Sequence, residues 1–252
     1  MRPVSADNIV LLGAGSDIGG AIVRKAAANK GTVVLAVSRA TQVEQSFGAQ
    51  VESMSGIDLL DEGALTRLAT AVENKFPGPF SIIHSVGNFW IHKPLTETPL
   101  SEMRAMIESQ VLTLFGVARV LAPLMQKRKG GCLVAFSCNS VGYSYPDMSP
   151  FTASKAAIES FIKCFANEHA EFGISAHALA LPTIRTPKVL VEKPTGDHAN
   201  YIAPSDLAEF ILGQILTMPP EVNGNVIKVF KHSPTFYHSS YYDRNPRQKC
   251  TI

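Results

Sequence analysis

In the stretch "SPFTASKAAIESF", residues 149–161, a lysine at 155 sits in an Ala-rich apolar segment four residues after Phe151. That spacing is about one helical turn, so the two side chains share a face. A hydroxyl at 151 would set a proton donor beside an ammonium group, whereas a phenyl ring has no proton to give. A second stretch, "GAGSDIGG" from Gly13 to Gly20, follows the first apolar run of the chain. Gly13 permits a tight turn off a strand, and Gly19 lets the next helix pack closely on a sheet. The free amides at that helix's start would then face a pyrophosphate, with Gly15, Ser16 and Ile18 completing the turn. Asp17 reads as the helix N-cap, its carboxylate turned away from the phosphates. A glycine turn can merely connect two elements; its place between the first strand and the first helix is what points to a nucleotide.

The second apolar run ends in "VSRA". A carboxylate just past this strand would bind the ribose 2'-hydroxyl of NAD, and none is present. Ser38 and Arg39 offer a hydroxyl and a guanidinium instead, which suit a 2'-phosphate. The ordinary reading of such an arginine is a solvated surface charge. With the glycine turn upstream, the pair predicts NADP(H) as cofactor.

These residues need elements to hold them. Short apolar runs at 8–13, 32–38, 81–87, 131–137, 175–181 and 225–230 read as strands, with a weaker seventh near 50–56. They are mostly unalternated, as strands covered on both faces are. Between them, Leu65, Leu68, Val72 and Phe76 keep helical spacing, and Ile158, Phe161, Ile162, Phe165 and Phe172 mark a broad apolar stripe. Strand–helix alternation throughout predicts an α/β fold, a doubly wound parallel sheet of the Rossmann kind in a single domain. Residues 1–230 are expected to form that cofactor-binding unit. The segment 182–204, punctuated by Pro and Gly, sits where a substrate lid could be. Residues 231–252 form a polar, aromatic tail, either loosely attached or capping the active site of a neighbouring subunit.

Composition narrows the function classes. Of 252 residues, 46% are hydrophobic and 17% charged, an ordinary globular balance, and the net charge of +2 is too mild to argue for nucleic acid. Cys132, Cys138, Cys164 and Cys250 show no C-x-x-C pairing and no metal-ligand spacing, so they read as reduced thiols. No run of about eighteen uncharged apolar residues suggests a membrane span. The expectation is a soluble cytoplasmic protein with a small-molecule substrate and no metal, nucleic-acid or membrane partner.

Up to about residue 230 the sequence resembles the classical short-chain dehydrogenases/reductases. The resemblance is carried by "GAGSDIG" at 13–19, "DL" at 58–59, "HSVG" at 84–87, "FTASK" at 151–155 and "PTIRT" at 182–186. It implies that Asp58 and Leu59 border the adenine and that Ser85, Val86 and Gly87 line the nicotinamide side. Ile184 and Thr186 would meet the carboxamide, although the family's glycine after Pro182 has no clear counterpart. The family's catalytic set is an Asn, a Ser, a Tyr and a Lys. Carried over position by position, Lys155 is retained to hold the nicotinamide ribose. The other three positions become Gln110, Cys138 and Phe151. The resemblance also implies a homodimer or homotetramer, and the stretches 103–125 and 150–172 carry more apolar residues than one buried face requires.

Loss of the phenol has a size. A positioned acid is worth about 10²–10⁴ in rate, or roughly 3–5 kcal/mol, and phenylalanine supplies none of it. A thiol at 138 is also a weaker hydrogen-bond donor than a hydroxyl. Ordinary ketone reduction by the family's usual route is therefore not expected. One reading keeps an NADP(H)-dependent reductase with an atypical site, acting on an apolar carbonyl, enoyl or imine substrate. In that case another donor could have moved in, from Tyr143, Tyr145, His84 or His92. The alternative is a non-catalytic NADP(H)-binding sensor or structural subunit.

Overall fold

In the computed structural model, residues 8–29, 31–39, 50–88 and 92–231 are described. Seven strands form one all-parallel sheet: β1 Asn8–Leu12, β2 Val33–Val37, β3 Val51–Met54, β4 Ser81–His84, β5 Gly131–Cys138, β6 Ile174–Leu181 and β7 Asn225–Lys228. Their order across the sheet is β3-β2-β1-β4-β5-β6-β7. The chain therefore runs outward from β1 in one direction, then returns to the other side of β1 at β4. This reversal leaves a gap above the carboxyl ends of β1 and β4, where a doubly wound sheet binds its ligand.

The unalternated runs are explained by helices on both faces. Val10, Leu12, Leu133 and Ala135 face one cluster, closed by α2 (Glu62–Lys75), α4 (Thr113–Arg128) and α6 (Ser149–His169). Ile9, Leu11, Val134 and Phe136 point the opposite way, toward α1 (Asp17–Ala28) and α8 (Pro204–Phe210). The α2 stripe buries Leu65, Leu68 and Val72, with Phe76 just past its end, as helical spacing requires. The short helices α5 (Ser140–Tyr143) and α7 (Pro187–Glu192) lie in the segments after β5 and β6.

The longest helical run is α3 (Leu100–Ile107), a π turn over Glu108–Leu112 and then α4. By length and composition, Leu100–Arg128 could cross a membrane, but half of its apolar window is buried inside the fold. Leu114, Val117, Leu121 and Met125 are its core face against the sheet.

Strand boundaries differ from expectation in one informative place. The apolar run at 81–87 stays in the sheet only to His84. Ser85 leaves the ladder by bonding Leu12 O twice, from its amide at 3.0 Å and its hydroxyl at 2.7 Å. Residues 85–88 then line a crevice instead of extending the strand. The tail proposed for 231–252 lies outside the described residues beyond position 231.

Leu121 is fully buried between α4 and the sheet. Leu121→Ala is expected to lower unfolding free energy by about 2–5 kcal/mol in urea denaturation; a change below about 1 kcal/mol would contradict this packing.

Candidate active site

The crevice above β1 and β4 has a volume of about 400 Å³. Its walls bring together ten residues singled out from the sequence: Gly13, Gly15, Ser16, Ser38, Arg39, Asp58, Leu59, Ser85, Val86 and Gly87. They come from the carboxyl ends of β1 to β4, although 74 positions separate the first from the last.

The turn after β1 is tightly specified. Gly13 has φ +92, and a Cβ there would lie 2.7 Å from Ser85 Oγ. The amides of Gly13 and Ala14 donate to Val37 O at 2.9 and 3.0 Å, tying the turn to β2. A Cβ on Gly19 would collide with Gly13 O and approach Ala14 Cα to 2.9 Å. The N-cap of α1 is Ser16 and not Asp17: Ser16 Oγ accepts from Gly19 N at 3.0 Å and donates to Gly13 O at 2.9 Å. Asp17 is the first helical residue, where its charge still favours the helix dipole. Asp17, Ile18 and Gly19 shape the turn from behind and are not on the crevice wall.

At the next strand ends, Ser38 is buried, with its backbone fixed by Met54 O and Ile57 N, while Arg39 is exposed on the rim. Asp58 Oδ1 accepts from Leu60 N at 3.0 Å and so turns the chain after β3. Gly87 has φ +150, and a Cβ there would come within 2.9 Å of Gln110 Cγ. Glycine at 87 is therefore required by Gln110, which is wholly buried in the π turn. Gln110 Nε2 donates to Asn88 O at 3.1 Å and reaches Met106 Sδ at 3.7 Å; its Oε1 has no partner among the described residues. An inserted residue in a helical ladder often marks a functional position, and this one swings an amide into the interior.

Lys155 lies on α6 and is almost fully buried. Its ammonium donates to Phe136 O at 2.8 Å and stands 5.4 Å from the centre of the Phe151 ring. Burial lowers its pKa to about 8, with Cys138 acting in the opposite sense. Phe151 packs with Met106, Met148 and Tyr145 in a small apolar cluster apart from the two large cores. Cys138 ends β5, half-exposed, and its Sγ accepts from Ser140 N at 3.4 Å.

The proposed replacement donors fare differently. His84 is buried against Thr113: Thr113 Oγ1 donates to Ser109 O at 2.9 Å, so it accepts from His84 Nε2 at 3.1 Å. Burial, then the Lys155 charge, lowers the His84 pKa to about 3, which keeps the ring neutral and removes it as an acid near neutrality. Desolvation and then the Lys193 charge lower the His92 pKa. Tyr143 stacks on Tyr145 at 5.8 Å, with Lys228 Nζ 5.7 Å from the Tyr143 ring centre.

The segment after β6 carries two further expected contacts. Ile184 is buried in the core and bridges Ile202. Thr186 caps α7, its hydroxyl accepting from Val189 N at 3.3 Å. Neither lies on the crevice wall. Lys193, at the end of α7, was not singled out from the sequence; desolvation lowers its pKa, and the Cys138 sulfur raises it. Its electrostatic reach to Cys138 depends on the path of the 182–204 segment, which no local spacing encodes. Thr113, Ser109 and Glu108 also line the crevice unforeseen. They share the π turn or its border, a register that sequence periodicity does not reveal.

A dinucleotide fits this arrangement. The crevice follows the strand ends, and Gly13 and Gly19 leave space that a Cβ would fill. No group of three or more His, Cys, Asp or Glu side chains able to hold a metal occurs among the described residues.

Comparison with known proteins agrees. A family model described as short chain dehydrogenase matches residues 7–194. A fatty acyl-CoA reductase of Acinetobacter baylyi is 27% identical over 222 residues, covering 84% of this chain and 74% of that protein. The solved structure of ElxO with NADP bound aligns with TM-score 0.78 at 20% identity, covering 88% of this chain and 96% of that one. A 3-ketoacyl-(acyl-carrier-protein) reductase from Brucella melitensis complexed with NADH aligns with TM-score 0.78 at 20% identity, over 89% and 98% of the two chains.

Two outcomes follow from the geometry. Gly19→Ala is expected to weaken nucleotide binding at least about tenfold in a fluorescence titration, because the turn must open to admit the methyl group; unchanged affinity would contradict the cradle. Lys155 has a folded pKa of about 8 against 10.5 for the free side chain. The unfolded chain then holds more protons between those values, so stability of the cofactor-free protein rises with pH through that window. Lys155→Met is expected to remove this rise in urea denaturation; an unchanged pH dependence would contradict the buried charge.

Proposed function

This chain belongs to the short-chain dehydrogenase family, and from that premise we propose that it is an NADP(H)-dependent oxidoreductase with an atypical active site. Its substrate is a small-to-medium apolar carbonyl, enoyl or imine compound, and an acyl thioester is the favoured carbonyl. The observation that carries the reading is a buried ammonium, Lys155, facing a phenyl ring where a proton donor would stand, in a fold whose strand-end crevice gathers ten of the expected nucleotide contacts.

Each residue has a part. The Gly13–Gly19 turn, with Gly15, Ser16 and Ile18, receives the pyrophosphate at the start of α1, and Asp17 supports the turn from the helix side. Ser38 and Arg39 take the 2'-phosphate, Asp58 and Leu59 border the adenine, and Ser85 to Gly87 line the nicotinamide side. Lys155 orients the nicotinamide ribose, and Ile184 and Thr186 border the carboxamide. When bound, the cofactor supplies hydride to the substrate. The ElxO structure with NADP bound supports the phosphate reading, while the NADH complex of the ketoacyl reductase shows why Arg39 must be tested.

The methionine–aromatic cluster at Met106, Met148, Tyr145 and Phe151 suits an apolar chain, since methionine adapts to irregular shapes. The fatty acyl-CoA reductase relative supports an acyl thioester. Exposed Leu112 and Phe115 on the run that includes α4, with Phe161 on α6 against Phe115, suit a homodimer or homotetramer contact. Residues 1–230 hold the cofactor and substrate functions, and the unpaired thiols fit a cytoplasmic location.

Phe151 also favours a second reading, a non-catalytic cofactor-binding subunit. Stopped-flow oxidation of bound NADPH against acyl thioesters, enoyl thioesters, imines and ketones separates the two. Turnover in at least one of the first three classes is expected; silence across all four would establish the second reading. In titration, NADPH is expected to bind at least about tenfold tighter than NADH, with Arg39→Ala erasing the difference. A preference for NADH would overturn the assignment of Arg39.

A further inference from the structure

The crevice wall after β4 is held from the helical side, by two consecutive residues of the π turn over Glu108–Leu112. Asn88 N donates to Ser109 Oγ at 3.3 Å, and Asn88 O accepts from Gln110 Nε2 at 3.1 Å. Both backbone groups of one wall residue are therefore gripped by neighbours in sequence. We propose that Gln110 is a positioning residue for the nicotinamide end of the crevice: its amide fixes the Gly87–Asn88 wall against which that ring is presented. The inference rests on the NADP(H) reading above and names the residue that sets one end of that site.

Gln110 is wholly buried, and its surroundings define what the amide does. A Cβ at Gly87 would come within 2.9 Å of Gln110 Cγ and 3.2 Å of its Cδ, so the side chain lies directly behind the wall. Gly87 itself has φ +150, a backbone state that suits glycine, and glycine is the residue with most freedom to lose on ordering. A wall that turns on such a residue needs bonds from outside to fix it. Nε2 carries two hydrogens and has two partners, Asn88 O and, at 3.7 Å, Met106 Sδ. Met106 belongs to the apolar cluster that contains Phe151, so one amide touches both the cofactor wall and the side chains that suit an apolar substrate. Its Oε1 has no partner among the described residues. A buried carbonyl oxygen left unpaired lowers stability, and an apolar side chain of similar length would avoid that loss. Packing alone therefore does not account for an amide at 110; its grip on Asn88 does.

The rest of the turn braces this grip. Thr113 Oγ1 donates to Ser109 O at 2.9 Å and accepts from His84 Nε2 at 3.1 Å, which ties the turn to the last residue of β4. The wall is thus fastened on both sides of residues 85–87, at His84 and at Asn88. The adenine end is built separately, by Ser38, Arg39, Asp58 and Leu59 past the ends of β2 and β3. Loss of the Gln110 donor should consequently be felt at one end of the nucleotide only.

The test compares two nucleotides that share the other end. NADPH carries the nicotinamide, whereas adenosine 2',5'-bisphosphate presents the adenine and the 2'-phosphate without it. Gln110→Met removes the donor and the unpaired oxygen together at similar length. In titrations of the full chain it is expected to weaken NADPH at least about fivefold and to change adenosine 2',5'-bisphosphate less than about twofold. The urea midpoint should stay at or above the wild-type value, a result that a merely structural residue would not give. Ser109→Ala, which removes the second grip on Asn88, should show the same selectivity. A fallen midpoint with both nucleotides weakened alike would mark a packing role and overturn the proposal, as would unchanged NADPH affinity. Hydrogen exchange of the wild-type chain requires no variant to fold: peptides covering residues 85–88 should gain protection with NADPH and not with adenosine 2',5'-bisphosphate. Equal protection by both would contradict the positioning role. If neither nucleotide binds the wild-type chain, the NADP(H) reading itself falls, an outcome distinct from binding without selectivity.

Discussion

An ammonium group held inside a protein is costly unless a partner meets it, and the placement of Lys155 shapes much of this site. Phe136 O supplies one hydrogen bond, the Phe151 face supplies a weak second attraction, and neighbouring Cys138 partly offsets the burial. Lys155 projects from α6, and its ammonium reaches β5 at Phe136 O. Its neutral neighbour His84 fits the same constraint, since a second buried cation there would repel the first. A charge kept under such conditions makes sense where a polar ligand completes its shell.

The sheet supplies the rest by leaving a gap where chain direction reverses. The turn at Gly13 is laced to β2 through Val37 and abuts β4 at Ser85, so three strand ends are tied together. Gly87 extends this rigidity to the π turn, because only a residue without Cβ leaves space for Gln110. The crevice is therefore built into the backbone, with side chains tuning its two ends. Arg39 stands on its exposed rim, while Lys155 is buried on α6.

Much of this was legible in the chain itself. Seven apolar runs became seven strands because helices cover both sheet faces and little alternation survives in between. Ten of the expected contact residues meet in one crevice since strand ends converge in this topology. What stayed hidden depends on geometry finer than periodicity. The cap of α1 moved from Asp17 to Ser16 because a hydroxyl could bond Gly19 N and Gly13 O together. The run at 81–87 exceeded its strand because apolarity does not register where Ser85 turns back to Leu12. Lys193 comes under the influence of Cys138 only through the course of the segment after β6, and Ile184 reads as a contact residue although its side chain is packed in the core.

The central proposal, supported by the family membership, the crevice and the buried lysine, is that a phosphorylated dinucleotide lies along the carboxyl ends of β1, β2 and β4, with its nicotinamide ribose at Lys155. A crystal structure grown with saturating NADPH tests it most directly. The account requires the 2'-phosphate beside Ser38 and Arg39 and the ribose hydroxyls within hydrogen-bonding distance of Lys155 Nζ. An empty crevice at saturating nucleotide, or a ribose far from Lys155, would contradict it.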